Sequence, residues 1–270
     1  MVSLILQLSI FLILIKQGGV KMTYPKMILF DYGHTLLHEP GFDTLRGQEA
    51  LLKYVKNNKN NLSAKEINDF AQRLFSEISA SRDMGFELHE WQFQRFLYEY
   101  LGIELSIPLP EAERIFWDNT SYGDIMPGAD KMIDYINSRN IRSAVISNIS
   151  FSGAALTERI NRLLPNNRFE FIIASSEYMF RKPNRYIFEL ALKKAGLDAS
   201  EVWFCGDNTV ADIEGAANAG IFPIWYEDLT YENLWNKSYV GILPKCEHLH
   251  IHHWNELIDI LENQLSNNPN

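Results

Sequence analysis

The sequence predicts an α/β fold, a doubly wound parallel sheet with an inserted all-helical segment. Three observations point to it. Residues Lys26 to Phe30 form an isolated apolar run with the character of a buried strand. From Phe42 to Tyr122 apolar residues recur at helical spacing. Beyond Pro127 short apolar runs alternate with amphipathic stretches, the pattern of strands joined by right-handed helical crossovers.

The insertion reads as four helices, "LRGQEALLKYVKNN", "SAKEINDFAQRLFSEISASR", "HEWQFQRFLYEYLG" and "PEAERIFWDNT". Ser63 and Glu66 make a capping box for the second. Gly102 stops the third and Pro110 opens the fourth. In the third, Trp91, Phe93, Phe96, Leu97 and Tyr100 fall at core spacing. The alternating part reads helix "GADKMIDYINSRN", strand "IRSAVIS", helix "GAALTERINRLL" and strand "FEFIIAS". It continues with helix "NRYIFELALKKAG", strand "EVWFCG", helix "VADIEGAANAG" and strand "IFPIWY". "HLHI" and "WNELIDILENQL" close the fold, and "SNNPN" reads as a frayed tail.

Hydrophobic residues make up 46% of the chain and aromatic ones 13%, enough for a sizeable core. The net charge is −9 with no block of Lys or Arg, which argues against nucleic acid and against stable association with an anionic membrane. Cys205 and Cys246 lack zinc-site spacing and fit a reducing, cytoplasmic setting. Oligomeric state is not legible. The apolar start "MVSLILQLSIFLILI" is shorter than the roughly 18 residues a bilayer span needs. It also lacks the basic start and cleavage site of a signal peptide. Gly18-Gly19 can be encoded by a ribosome-binding sequence a few codons before Met22. Residues 1–21 are therefore expected to be a mis-called extension, with a short membrane anchor as the alternative. The expected division is 1–21, a core of 22–40 and 123–270, and an insertion of 41–122.

In parallel sheets ligands gather at the carboxyl ends of strands. Asp31 ends the first strand, Ser147-Asn148 a second and Gly206-Asp207-Asn208 a later one, and Lys182 follows another. This set suits phosphoryl transfer to a carboxylate. One Asp serves as nucleophile, Lys balances charge, and Ser and Asn donate to phosphate oxygens. A second Asp completes a site for a hard cation such as Mg²⁺.

In order and spacing, "LFDYGHTL", "VISNIS", "RKPNRYIF" and "FCGDNTVADIEGAANAG" resemble the four motifs of the haloacid dehalogenase (HAD) superfamily, over about Met22 to Leu265. The resemblance implies a Rossmann-like core with the insertion as a helical cap. It implies a Mg²⁺-dependent phosphatase of a small phosphorylated metabolite, a sugar phosphate or nucleotide, working through an aspartyl phosphate. It assigns Asp31 as nucleophile and metal ligand and Lys182 as the charge-balancing lysine. Thr35, Ser147 and Asn148 become phosphoryl contacts. The Gly33 carbonyl, Asp207 and Asp212 complete the metal site.

Gly33 departs from the pattern. Most HAD phosphatases read D-x-D, and the second Asp is the general acid/base. Dehalogenase members lack it too, but they also lose the carboxylates kept here as Asp207 and Asp212. Mutase members depend on it. Phosphonate-cleaving members need a cap lysine, and Lys53, Lys56, Lys59 and Lys65 lie in no apolar run that would lower their pKa. One branch of sugar-phosphate phosphatases reads D-L-G-N. His34, able to titrate near neutrality, is the candidate replacement acid, with a plain turn role as the alternative. The rival function is a non-catalytic or very slow HAD-fold phosphate-binding protein. Arg181, Arg82, His89 and Arg95 read as solvated, with contact to the substrate as the alternative. In "HLHIHH", alternation puts His248, His250 and His252 on one strand face, but no carboxylate or thiol motif completes a zinc site there.

Overall fold

The computed structural model describes residues 22–229 and 242–267. The readings made for residues 1–21 and for the last three residues lie outside the described residues. The chain begins with β1 (Met27–Phe30) and a two-residue β2 (Leu37–His38). The insertion holds α1 (Thr44–Leu52), β3 (Val55–Asn58), α2 (Ala64–Asp83), α3 (Glu90–Leu101), β4 (Ile103–Leu105) and α4 (Leu109–Thr120). The return passes through β5 (Asp124–Ile125), which pairs antiparallel with β2. Next come α5 (Ala129–Ser138), β6 (Arg142–Ser147), α6 (Gly153–Leu163) and β7 (Ile172–Ala174). The chain continues with α7 (Arg185–Ala195), β8 (Val202–Gly206), a π-helical turn (Thr209–Glu214) and α8 (Gly215–Asn218). It closes with β9 (Phe222–Tyr226), β10 (Leu249–Ile251) and α9 (Trp254–Asn267).

Six strands form one parallel sheet in the order β10-β9-β8-β1-β6-β7. All four β1 residues are fully buried because helices cover both faces of the sheet. Alternation sends Ile28 and Phe30 into the layer with Trp254 and Leu257, and Met27 and Leu29 into the layer with Phe188 and Ala191. Among the described residues no helix is long and apolar enough to cross a membrane.

Several expectations need correction. The first insertion helix stops at Leu52, and Val55–Asn58 instead pairs antiparallel with Ile103–Leu105. A β-branched residue and two asparagines extend a helix poorly, and the segment finds ladder partners across the cap. The strand expected over "FEFIIAS" is confined to Ile172–Ala174. In α3 the buried face is Glu90, Gln94, Leu97 and Tyr98, while Phe96 and Tyr100 are exposed and stack on each other. Periodicity counted apolar residues, but this helix buries a polar stripe that finds partners. Tyr98 donates to Gln48 at 2.9 Å and Gln94 to Glu90 at 3.1 Å.

Polar contacts also dock the cap. Glu113 on α4 accepts from both the N–H and the Oγ of Ser152, each at 2.6 Å, and from the Trp91 indole at 2.8 Å. Ser152 is the N-cap of α6, so a cap carboxylate sits at the amino end of a core helix, where it is electrostatically favoured. Where the chain crosses between units, buried Arg159 lies 4.0 Å over the Trp117 ring and reaches Glu39 and Asp118.

Burial, reinforced by Glu113, raises the Glu90 carboxyl to about 7. The unfolded chain releases that proton near 4.5, so native Glu90 binds more protons between the two values and stability falls as pH rises through that window. Glu90→Gln removes the penalty. The variant is expected to gain little at pH 4 and on the order of 2–3 kcal/mol relative to wild type above pH 7. Denaturant melts at several pH values check this, and a pH-independent difference would contradict it.

Candidate active site

The carboxyl ends of β1, β6 and β8 lie side by side, and the loops after them converge. Asp31 follows β1, its N–H donating to Cys205 on β8 at 2.8 Å. Its side chain meets the ammonium of Lys182, whose Nζ is 2.5 Å from Asp31 Oδ1 and 2.6 Å from Asp212 Oδ1. The same Nζ donates to the Ile146 carbonyl at 2.8 Å and lies 5.1 Å over the Phe204 ring. Lys182 is 3% exposed and Asp31 7%. Burial alone would lower the lysine pKa, but Asp212 and Asp31 outweigh it and hold the ammonium protonated.

Asp207, at the end of β8, completes an acidic trio. One oxygen each from Asp31, Asp207 and Asp212 lies within 4.8 Å of the others. Burial first, then Asp212 and Asp31, pushes the Asp207 carboxyl well up. Burial likewise raises Asp212 to about 6, against the pull of Lys182. Three carboxylates and one ammonium leave a formal charge of −2 in a dry site. An all-oxygen, doubly negative donor set fits a hard divalent cation. The residues that would hold it are these three aspartates.

Local sequence explains how Asp212 reaches this place. Asn208 caps the π-helical turn, accepting from Val210 and Ala211 N–H groups at 3.1 and 2.8 Å. Its own N–H donates to Asp212 Oδ2 at 3.0 Å. The turn folds Asp212 back over Gly206, where a Cβ would lie only 2.4 Å from the Asp212 carboxyl carbon. Position 206 must be glycine for Asp212 to pack there.

The phosphoryl contacts expected from the motifs divide into two kinds. Thr35 is fully buried, and its hydroxyl has no hydrogen-bond partner among the described residues. Ser147 ends β6, buried beside the cluster. At Asn148 the side chain is engaged elsewhere. Its amide donates to the Lys182 carbonyl at 2.9 Å and accepts from the Lys182 N–H at 2.7 Å. Its side chain therefore ties the lysine loop to the β6 loop, leaving its main chain for a ligand.

His34 adopts a left-handed conformation, φ 55°, and donates its N–H to Leu37 at 2.7 Å. Burial, with His38 beside it, pushes its imidazolium down to about 4. Arg181 and Arg82 are not solvated. Both pair with Glu87, whose side chain is fully buried and also accepts from Ser175 Oγ at 2.9 Å. Sequence reasoning missed Glu87, since its partners Ser175 and Arg181 lie far along the chain and no motif marks it. Through it the cap loop is latched to the residue next to Lys182. Trp225, also unforeseen, donates its indole N–H to the Asp207 carbonyl at 3.2 Å.

Comparison with known proteins agrees with this architecture. A family model described as haloacid dehalogenase-like hydrolase matches residues 111–226. A glyceraldehyde 3-phosphate phosphatase of Pyrococcus abyssi (strain GE5 / Orsay) is 30% identical over 136 residues, 48% of this chain and 56% of the relative. Pyrimidine 5'-nucleotidase YjjG of Escherichia coli (strain K12) is 36% identical over 101 residues, 37% of this chain and 44% of the relative. The chain thus spans about half the length of these two curated relatives. The crystal structure of 2-haloacid dehalogenase from Pseudomonas syringae pv. Tomato DC3000 superposes with a TM-score of 0.60 at 22% identity, covering 88% of this chain and 99% of that one, which speaks for the fold. Over residues 111–226 the chain is similar to the haloacid dehalogenase-like hydrolases, and the parallel sheet order and the converging aspartates and lysine accord with that likeness.

Proposed function

We propose that the chain is a cytoplasmic phosphatase of a small phosphomonoester, a sugar phosphate or a nucleotide, that works with Mg²⁺. The observation that carries the reading is the Asp31–Lys182–Asp212 cluster beside Asp207. The retained Asp207 and Asp212 favour phosphate over halide. The relatives' names, a triose phosphate phosphatase and a pyrimidine nucleotidase, supply the substrate class. The two free cysteines support the cytoplasmic setting.

In this reading Asp31 attacks phosphorus, an Asp31–phosphate bond forms and the ester bond breaks. Lys182 offsets the charge of carboxylate and phosphoryl group together. Thr35 and Ser147 hydroxyls and the main chain at Asn148 donate to phosphoryl oxygens. Asp31, Asp207, Asp212 and the Gly33 carbonyl would hold the cation, which supplies charge neutralisation to the phosphoryl group when bound. Water then cleaves the aspartyl phosphate. His34, held neutral above about pH 4 by burial, has no imidazolium proton for the leaving group, and the same burial disfavours its taking one up.

Asp31→Asn is expected to lower turnover by on the order of a thousandfold or more, with an unchanged fold by circular dichroism. Retention of wild-type turnover would refute the covalent route. Gly206→Ala drives Asp212 away, so half-maximal activity should need about tenfold more Mg²⁺. An unchanged titration removes Asp212 from the metal site.

At Gly33 an added Cβ meets nothing within 4 Å, and the backbone lies outside the left-handed region. An aspartate can therefore be installed there. Gly33→Asp should raise turnover of alkyl phosphates by about a hundredfold and shrink the preference for aryl leaving groups. A steady-state leaving-group series checks this. No gain would mean that the acid already comes from elsewhere in the site.

A further inference from the structure

The histidine run near the C-terminus lacks a metal-site partner in sequence, but the sheet supplies one. Strands β9 and β10 pair in parallel, with His250 opposite Trp225 and Ile251 opposite Tyr226. That register carries Glu227, the residue after β9, alongside His250 and His252. The Glu227 N–H donates to the Ile251 carbonyl at 2.9 Å, which locks the alignment.

One ligand atom from each of Glu227, His250 and His252 lies within 4.8 Å of the others. His250 Nε2 is 2.9 Å from Glu227 Oε2. In a tetrahedral zinc site with bonds near 2.0–2.1 Å, ligand atoms stand about 3.3 Å apart. The His250–Glu227 separation is a little under that value and all three ligand atoms lie within 4.8 Å of one another, so small side-chain rotations would close the set on a cation. The rings are already oriented. Trp225 stacks flat on His250, with centroids 3.9 Å apart and planes within 9°. His252 Nδ1 is 2.9 Å from the Glu227 carbonyl oxygen, the kind of outer hydrogen bond that fixes a ligating histidine and leaves its Nε2 for the cation.

We propose that Glu227, His250 and His252 form a second metal site, binding one borderline divalent cation of the zinc class with water in the remaining position. Two imidazoles and one carboxylate select such an ion, whereas the all-aspartate trio selects a hard one. The two centres are linked by a single side chain. Trp225 stacks on His250 and donates to the Asp207 carbonyl. The site spans β9 and the edge strand β10, so a bound cation cross-links the open edge of the sheet.

The test is equilibrium dialysis of the chelator-treated full chain against Zn²⁺, in excess Mg²⁺ to occupy the acidic trio. One equivalent should bind, and Asp207→Asn should leave it in place. His250→Ala, His252→Ala and Glu227→Gln should each weaken it by on the order of 10- to 100-fold. His253→Ala, outside the cluster, should have no effect. Co²⁺ substitution should give the intense visible bands of tetrahedral coordination in wild type and not in His252→Ala. All variants are checked by circular dichroism, and Zn²⁺ should raise the melting temperature of wild type only where the site is intact. Zn²⁺ that is lost with Asp207, that persists after both histidine substitutions, or that never binds under excess Mg²⁺ would overturn the proposal.

Discussion

A single ammonium group, Lys182 Nζ, is held at 2.5 and 2.6 Å from carboxylates on two different loops, with almost no water around it. Burying a lysine or an aspartate alone is strongly unfavourable, and a buried pair persists only when geometry and added hydrogen bonds compensate. Here the Ile146 carbonyl takes a further donor and the Phe204 ring faces the charge. The loops after β1, β8 and β7 are thereby bound to one another, because none can move without stranding a charge. Glycine at position 206 and the π-helical turn exist in service of that contact, since together they fold Asp212 under its own strand end.

The cap is attached by the same physics. Its docking groups are buried carboxylates with several donors each: Glu113 on Ser152 and Trp91, Glu87 on Arg82, Arg181 and Ser175. Polar contacts of this sort fix one geometry more sharply than apolar packing does, because a small slip leaves a charge without a partner. Arg181 adjoins Lys182, so the position of the cap loop and the position of the lysine are mechanically joined. The exposed Phe96 and Tyr100 show the corollary: α3 gives its inner face to polar partners and leaves aromatic rings outside.

The acidic trio and the edge cluster illustrate two donor chemistries on one sheet. Oxygen donors crowd at the β1/β8 switch, and nitrogen donors gather two strands away. The trio lies past the carboxyl ends of parallel strands and the edge cluster beside the carboxyl end of β9, where side chains distant in sequence meet.

The alternation of strands and helices, the buried first strand, the helical insertion and the four motifs were legible in the sequence, because each is a local pattern of period or spacing. So were Asp31, Lys182, Asp207 and Asp212, which sit inside those motifs, and the Ser63–Glu66 capping box. Tertiary structure alone decided the rest. Val55–Asn58 became a strand because Ile103–Leu105 was there to pair with it. The Asn148 side chain became a strut because the Lys182 main chain lay within reach of both ends of its amide. Glu87 and Glu227 reach across the fold to partners tens of residues away, on the lysine loop and on the edge strand. Local sequence sets backbone preference within a turn or two. Which polar groups are buried together is set by register and packing between distant segments, and the energy of a charge depends on those neighbours rather than on the residues beside it in the chain.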